Sequence, residues 1–285
     1  MANIKKYNGY FKFEHQFTSI SQELNILHIS DVHFDNLHCD RKLLKKHLDR
    51  IVELDGYIAI YGDFFCLMQG KYDPRSSKQA IRSEHIGGNY IELVIEDACK
   101  FFAPYASRIL MMSKGNHETS VSSRMEFDIL KYFVEKLNRE TGSDIILGQY
   151  GGYYSGTITI SKNNRVGFNV GYHHGAWGGI ISKGTQSIAR YGLIYPSADI
   201  FFSGHTHDSW VVPQPRFVLN QASKKLETKI QWHVKTGTYK DEFSAQEGWA
   251  VEKIVMPKYL GGVIQKTKVI SKSDLLSLNH EFTII

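Results

Sequence analysis

Asn25-Ile26-Leu27-His28-Ile29-Ser30-Asp31-Val32-His33 is an apolar run of strand length, Asn25–Ser30, that ends on two side chains able to bind a metal. Four more stretches repeat the design. Tyr57–Tyr61 runs into Gly62-Asp63, and Arg108–Met112 precedes Gly115-Asn116-His117-Glu118. Val166–Tyr172 leads to His173-His174-Gly175, and Asp199–Phe202 leads to Gly204-His205-Thr206-His207. Carboxylate, amide oxygen and imidazole are the donors that borderline divalent metals accept. No thiolate is among them. In open sheets, ligands collect outside the carboxyl ends of strands, so five strands delivering polar residues at that edge predict one shared crevice.

The spacing within the blocks supports convergence. Asp31 and His33, like His205 and His207, are two residues apart, so on an extended strand end both members of a pair point the same way. Glycines at 62, 115, 175 and 204 allow sharp turns or close approach to an ion. Any one block is ordinary turn chemistry, in which Asp and Asn bond their own backbone; five in succession are not. His15, His28, His38, His47, His85, His233 and His280 stand outside such blocks and read as structural.

Periodicity supplies the layout. Arg41 to Leu54 has helical spacing with Asp40 placed to cap it. Lys78 to Phe102 reads as a long helix with a weak point at Gly87-Gly88, Ser122 to Glu140 as a third and Lys183 to Tyr191 as a short fourth. From Tyr153 onward strands dominate, including Phe217–Leu219, Lys229–Lys235, Ala250–Met256 and Val263–Val269. The expected class is α/β (α+β), two packed mixed sheets flanked by helices, with residues 1–285 forming one domain.

In their order, Asp-x-His, Gly-Asp, Gly-Asn-His-Glu, His and Gly-His-x-His resemble the calcineurin-like metallophosphoesterases over about residues 26 to 207. The resemblance implies a four-layer sandwich, with segments such as Lys235–Tyr239 as closing strands, and a phosphate-ester hydrolase with two divalent metals. Asp31, His33 and His207 would hold one metal. Asn116, His205 and either His173 or His174 would hold the other, with Asp63 bridging; His174 is preferred because Gly175 lets the chain turn at the ion. Two such metals about 3.5–4 Å apart clamp both oxygens of an in-line displacement, and a bridging hydroxide is the implied nucleophile. Asp63 and His117 are the implied catalytic residues, with His117 facing the substrate, work suited to an imidazole. The family often pairs that histidine with an aspartate three residues past the bridging one. Here the position is Cys66, with Asp35 or Asp73 as substitutes. Manganese is expected first, while iron, zinc and nickel suit the same donors.

Composition sets the context. Among 285 residues, 42% hydrophobic, Cys39, Cys66 and Cys99 are odd in number and lack CxxC spacing, which argues for a reducing compartment. Met1 to Gln16 holds no continuous apolar segment, so neither signal peptide nor membrane anchor is expected and the cytoplasm is the default. After Pro213 there are 11 Lys and Arg against 7 Asp and Glu, a mild basic excess that suits a polyanion. In the loop Phe64 to Ser83, Lys71 and Arg75 are candidate substrate contacts, and Trp177 is a candidate for stacking a base. A phosphodiester, nucleic acid included, is the preferred substrate over a monoester or phosphoprotein. A non-catalytic scaffold of the same fold and a pure nucleic-acid-binding module are the competing classes.

Overall fold

The computed structural model describes residues 3–67, 80–176, 182–221, 224–243, 254, 256–272 and 275–285. Its elements are β1 (Asn3–Lys6), β2 (Tyr10–Gln16), β3 (Glu23–Ile29), α1 (Arg41–Glu53), β4 (Tyr57–Tyr61), α2 (Tyr90–Phe102) and β5 (Ile109–Ser113). Next come α3 (Asn116–Met125), α4 (Ile129–Thr141), β6 (Ile146–Gly148), β7 (Gly151–Thr159), β8 (Arg165–His173), α5 (Ile188–Ile194) and β9 (Ile200–Ser203). Then follow β10 (Ser209–Asn220), β11 (Lys225–Thr236), β12 (Val263–Lys272) and β13 (Leu275–Ile284).

Two mixed sheets result. One runs β13-β12-β3-β4-β5-β6 with β3 to β6 parallel; the other runs β1-β2-β7-β8-β9-β11-β10 with β8, β9 and β11 parallel. Strands β3 and β4 are covered on both faces, which is why they read as unbroken apolar runs. Leu27, Ile29, Ile58 and Ile60 join Leu48, Ile95, Phe102 and Phe133 of the helices α1, α2 and α4 in one core layer. Ile26, Tyr57, Ala59 and Tyr61 meet Phe13, Tyr154, Val170, Ile200 and Phe202 of the second sheet in another. Beyond that sheet, Tyr191 of α5 stacks on Phe201 at 4.4 Å between ring centroids. Helix, sheet, sheet and helix form the expected sandwich, and the carboxyl ends of β3, β4, β5, β8 and β9 share one edge.

The helices depart from the periodic reading in places. α1 begins where expected, with the Asp40 carboxylate accepting from the Leu43 amide. The long helix over 78–102 shrinks to α2, since Ser83–His85 is only a 3-10 turn and Ile86 is exposed; two glycines then favour a break. Residues 78 and 79 lie outside the described residues. The helix expected over Ser122–Glu140 is two: Glu126 turns left-handed at φ 52°, and Asp128 caps α4 by accepting from Lys131. Lys183–Tyr191 becomes a turn followed by α5. Phe217–Leu219 and Lys229–Lys235 are parts of the longer β10 and β11, and Ala250–Met256 falls outside the described residues except for Ile254 and Met256. Strands β1, β2 and β13 depart from the sequence reading, because their apolar residues alternate with polar and charged ones and form no continuous run.

Among the described residues, no helix is long and apolar enough to cross a membrane.

Candidate metal centre

The loops that leave β3 and β4 are zipped together. Asp31 N donates to Gly62 O at 3.0 Å, His33 N to Asp63 O at 3.0 Å and Phe34 N to Phe64 O at 2.8 Å. From the tail, Thr238 Oγ1 and Tyr239 N both donate to the Asp31 carbonyl, at 2.8 and 3.1 Å. This cross-bracing holds a backbone that L-residues rarely adopt: Asp31, His33, Asp63, His205 and His207 have φ of 50°, 48°, 48°, 75° and 57°. The pairs at i and i+2 are therefore not on extended strand ends, as their spacing had suggested. Both follow the last strand residue, and left-handed turns aim them.

Two donor groups form. In the first, Asp31, His33 and His207 bring ligand atoms within 4.8 Å of one another; His33 Nε2 lies 3.3 Å from His207 Nε2, and His207 Nε2 lies 3.5 Å from Asp31 Oδ1. The second comprises Asp63, His174 and His205 within the same limit. Asn116 Oδ1 joins it, 3.1 Å from His174 Nε2 and 2.8 Å from His205 Nδ1. His174 Nε2 is 3.1 Å from Asp63 Oδ2 and 4.0 Å from Asp31 Oδ1, so the two groups abut.

His173 takes no part. Its Nδ1 accepts the Gly175 amide at 3.0 Å, its ring lies against Tyr150 and Tyr191, and it joins neither donor group. Adjacent residues leaving a strand point apart, so only one of the two reaches the cluster.

Close packing fixes the glycines. A Cβ on Gly115 would collide with the Asp63 backbone nitrogen and carboxylate, and one on Gly204 with Ser30 Oγ and the Asp31 carboxylate. Both loops thus approach the carboxylates as only glycine allows.

Electrostatics fit a site built for cations. Asp31 Oδ1 and His33 Nδ1 are buried polar atoms with no hydrogen-bond partner, a costly state for a native interior. Burial opposes protonation of His174, yet Asp63 and Asp31 outweigh it and push its pKa up to about 9. Burial likewise opposes protonation of His207, and Asp31 and Glu242 raise it to about 9. In the ion-free state protons stand where cations would balance the carboxylates. His33, by contrast, is pushed well below its ordinary range by burial and then by neighbouring positive charge. Donor types, convergence and the orphaned Asp31 Oδ1 all fit two divalent ions.

A second layer was not read from the sequence. Glu118, fully buried, accepts from the amides of Asp63, Phe65 and Gly115 at 3.2, 2.9 and 2.8 Å, and burial, then Asp63, pushes its pKa up to about 7. Glu242 lies 3.6 Å from His207 Nδ1 and accepts from Lys240 Nζ at 2.6 Å. Nothing in the local sequence pairs Glu242 with a histidine 35 residues upstream; only the return of the tail does.

His117 sits at the mouth, its side chain 11% exposed, with Nε2 3.9 Å from Asp63 Oδ2. Its Nδ1 donates to the main-chain carbonyl of Cys66 at 2.6 Å. Neither the Cys66 thiol nor Asp35 is its partner. Asp35 instead accepts from the amides of Cys66 and Leu67 and from the Tyr90 hydroxyl, holding the loop that presents the carbonyl. Cys66 Sγ lies near His33 and His117, but burial pushes the thiol far up, away from the thiolate that metals take. Glu84, His85 and Asp97 also cluster, though the Arg41 guanidinium already pairs with Asp97 at 2.7 Å and Glu84 at 3.5 Å. Lys71, Arg75, Asp73 and Trp177 lie outside the described residues.

The sequence model of the calcineurin-like phosphoesterases matches residues 24–209. No curated protein matches. Among solved structures, vacuolar protein sorting 29 from Cryptosporidium parvum aligns at 11% identity and a TM-score of 0.37, covering 93% of this chain and 100% of that one. Wild-type Vps29 complexed with Zn²⁺ from Entamoeba histolytica aligns at 12% and 0.37, covering 90% and 98%. GAP50, the anchor in the inner membrane complex of Plasmodium, aligns at 11% and 0.42, covering 91% and 88%.

Proposed function

The chain belongs to the calcineurin-like phosphoesterase family, and on that premise we propose that it hydrolyses phosphate esters with two divalent cations, taking phosphodiesters, nucleic acids among them, ahead of monoesters. One observation carries the reading: Asp31, His33, Asp63, Asn116, His174, His205 and His207 meet at a single edge, with the buried Asp31 Oδ1 left unpartnered. A scaffold that had abandoned turnover has no need to keep every donor.

When bound, the cations supply Lewis-acid polarisation of the phosphoryl group and neutralise its charge. The chain does the rest. Asp31, His33 and His207 would hold one ion and Asn116, His174 and His205 the other, with Asp63 of the second donor group as the bridging carboxylate. Tyr61 O accepts from His174 Nδ1 at 2.9 Å and so aims Nε2 at the site. His117 is the proton donor: with Nδ1 tied to Cys66 O, its imidazolium form presents the Nε2 proton to the leaving oxygen. Burial of the site floor keeps bulk water from competing for these donors.

The diester preference rests on how the lysines near the metal edge are engaged among the described residues, with Lys235 Nζ donating to Gly204 O at 2.7 Å. Lys240 is held by Glu242 and Lys258 by Asp208, at 2.6 and 2.8 Å, and His117 leans on a neutral carbonyl. A diester brings one negative charge to the phosphorus and a monoester two, so the poorer cationic provision suits the diester. The basic excess of the carboxyl-terminal third is weaker support, since Lys266 and Lys268 are also paired, both with Glu23. Assay of the purified chain with Mn²⁺ against bis-p-nitrophenyl phosphate and p-nitrophenyl phosphate tests the reading, with single-stranded and duplex DNA and RNA alongside. Faster diester cleavage is expected. Faster monoester cleavage reverses the preference, and no hydrolysis with Mn, Fe, Zn or Ni hands the chain to the scaffold class.

A further inference from the structure

Strands β10 and β11 pair along 12 residues each, but β9 beside them covers only Trp232 to Lys235. The outer pairs, from Gln214↔Gln231 to Asn220↔Lys225, leave the sheet as a two-stranded arm. Opposed residues in an antiparallel ribbon share a face. Pro213, Pro215, Phe217 and Leu219 therefore lie with Trp232, Ile230, Thr228 and Leu226, and that face carries no charge.

At the root of the arm this face belongs to the core between the sheets: Trp232 packs on Phe282 at 5.4 Å between centroids. Further out nothing in the chain covers it among the described residues. Ile230 is 46% exposed, Leu226 65%, Leu219 66% and Phe217 78%. The polar face is the anchored one. Arg216 donates to the carbonyls of Pro196 and Ala198, and Gln231 to those of Tyr195 and Ala198. The arm thus turns its apolar side outward, the reverse of a surface hairpin that protects itself.

We propose that this face is a homodimer interface, covered by the same face of a second copy of the chain. An uncharged, continuous stripe is self-complementary about a two-fold axis and meets no like-charge repulsion. Lys225 and Lys229 lie on the opposite face, where they cannot serve an anionic membrane lying against the stripe. Pro213 and Pro215 deny β10 a regular ladder for strand addition, so the contact is face to face and not edge to edge. At roughly 150–250 Å² per large side chain, the four exposed residues offer on the order of 450 Å² per chain. Two copies, with the prolines, then remove about 1,000 Å² from water, the lower bound for a specific interface.

Sedimentation of the full chain across the micromolar range tests this. The unmodified chain should reach dimer mass, and the double change Phe217→Asp with Leu219→Asp should halve that mass while far-UV dichroism stays unaltered and the concentration dependence of melting is lost. Lys229→Glu on the polar face should leave the dimer intact. A monomer at the highest concentration overturns the proposal, as does a double variant that still dimerises; binding of that monomer to anionic vesicles would give the stripe to a membrane instead. If the double variant does not fold, hydrogen exchange on the unmodified chain decides. Amide protection over 217–219 and 226–230 that rises with protein concentration supports the interface, and protection independent of concentration sinks it.

Discussion

The two donor groups of the metal edge are built differently. Around Asp63, Asn116, His174 and His205 every orientation is set from within the sheet edge: Tyr61 O holds His174, Asn116 Oδ1 meets both imidazoles, and the His117 amide donates to Asp63 Oδ1 at 2.9 Å. Around Asp31, His33 and His207 one carboxylate oxygen is fixed, Asp31 Oδ2 accepting from Ser30 Oγ and, at 2.8 Å, from the His205 amide, but the remaining donors are held less. Asp31 Oδ1 and His33 Nδ1 lack partners, and His207 is steadied by Glu242 from the tail, at 3.6 Å. The first group has its imidazoles oriented before an ion arrives; in the second, Asp31 is positioned but Asp31 Oδ1 stays unpartnered and His207 relies on a distant segment. The ion at the second group should be the more readily exchanged.

Changes to the shared element should erase the contrast altogether. Asp63→Asn is expected to abolish hydrolysis and weaken metal retention at both groups, with the fold kept because Asp63 N still donates to Glu118. Elemental analysis beside a turnover assay checks it, and wild-type activity would remove Asp63 from its proposed role. His117→Ala should leave the metal content alone and lower kcat about 10²–10⁴-fold, the range of a lost general acid. Loss of an ion in that variant would mean His117 is a ligand.

Glu242→Gln should sharpen the contrast. Affinity at the Asp31, His33 and His207 group is expected to fall about 10–100-fold while the other group is unaffected, as metal titration by calorimetry would resolve. Equal weakening of both groups would dissolve the distinction between them.

Acidity offers a further test. In the ion-free chain His174 and His207 have pKa values raised from 6.5 to about 9, so the stability they contribute is complete below about pH 6.5 and fades as pH rises through 9. The ion-free protein should melt lower as pH climbs across that window, while metal affinity climbs because fewer protons compete. Melting curves with and without chelator report both trends. The smallest effect belongs to Cys66→Ala: since the main-chain carbonyl orients His117, turnover should stay within a few-fold of wild type.

Much of this was legible in the chain before folding. β4 was read to the residue and β3, β5 and β9 to within one or two, because a strand covered on both faces must be apolar throughout; β8 was equally legible from the alternation of its one buried face. The donor types at their ends were equally plain. The break at Glu126, the retreat of α2 to Tyr90 and the length of the β10–β11 arm were not, since each depends on what packs against the segment and not on its own period. Cys66 is the instructive case. As a side chain it looked like a missing acid, yet the working atom is its carbonyl oxygen, and every residue has one.

Sequence by itself settled which atoms are available to bind a cation and in what order along the chain they come, since side-chain chemistry is local and survives unfolding. Tertiary structure alone decided which way those atoms point: that His174 faces the cluster and His173 does not, that left-handed turns aim Asp31, His33, His205 and His207, and that Glu242 returns from the tail to meet His207. The reason is that direction is a property of the backbone held by its neighbours. A residue at φ near +50° stays there only because hydrogen bonds from distant segments hold the loop around it.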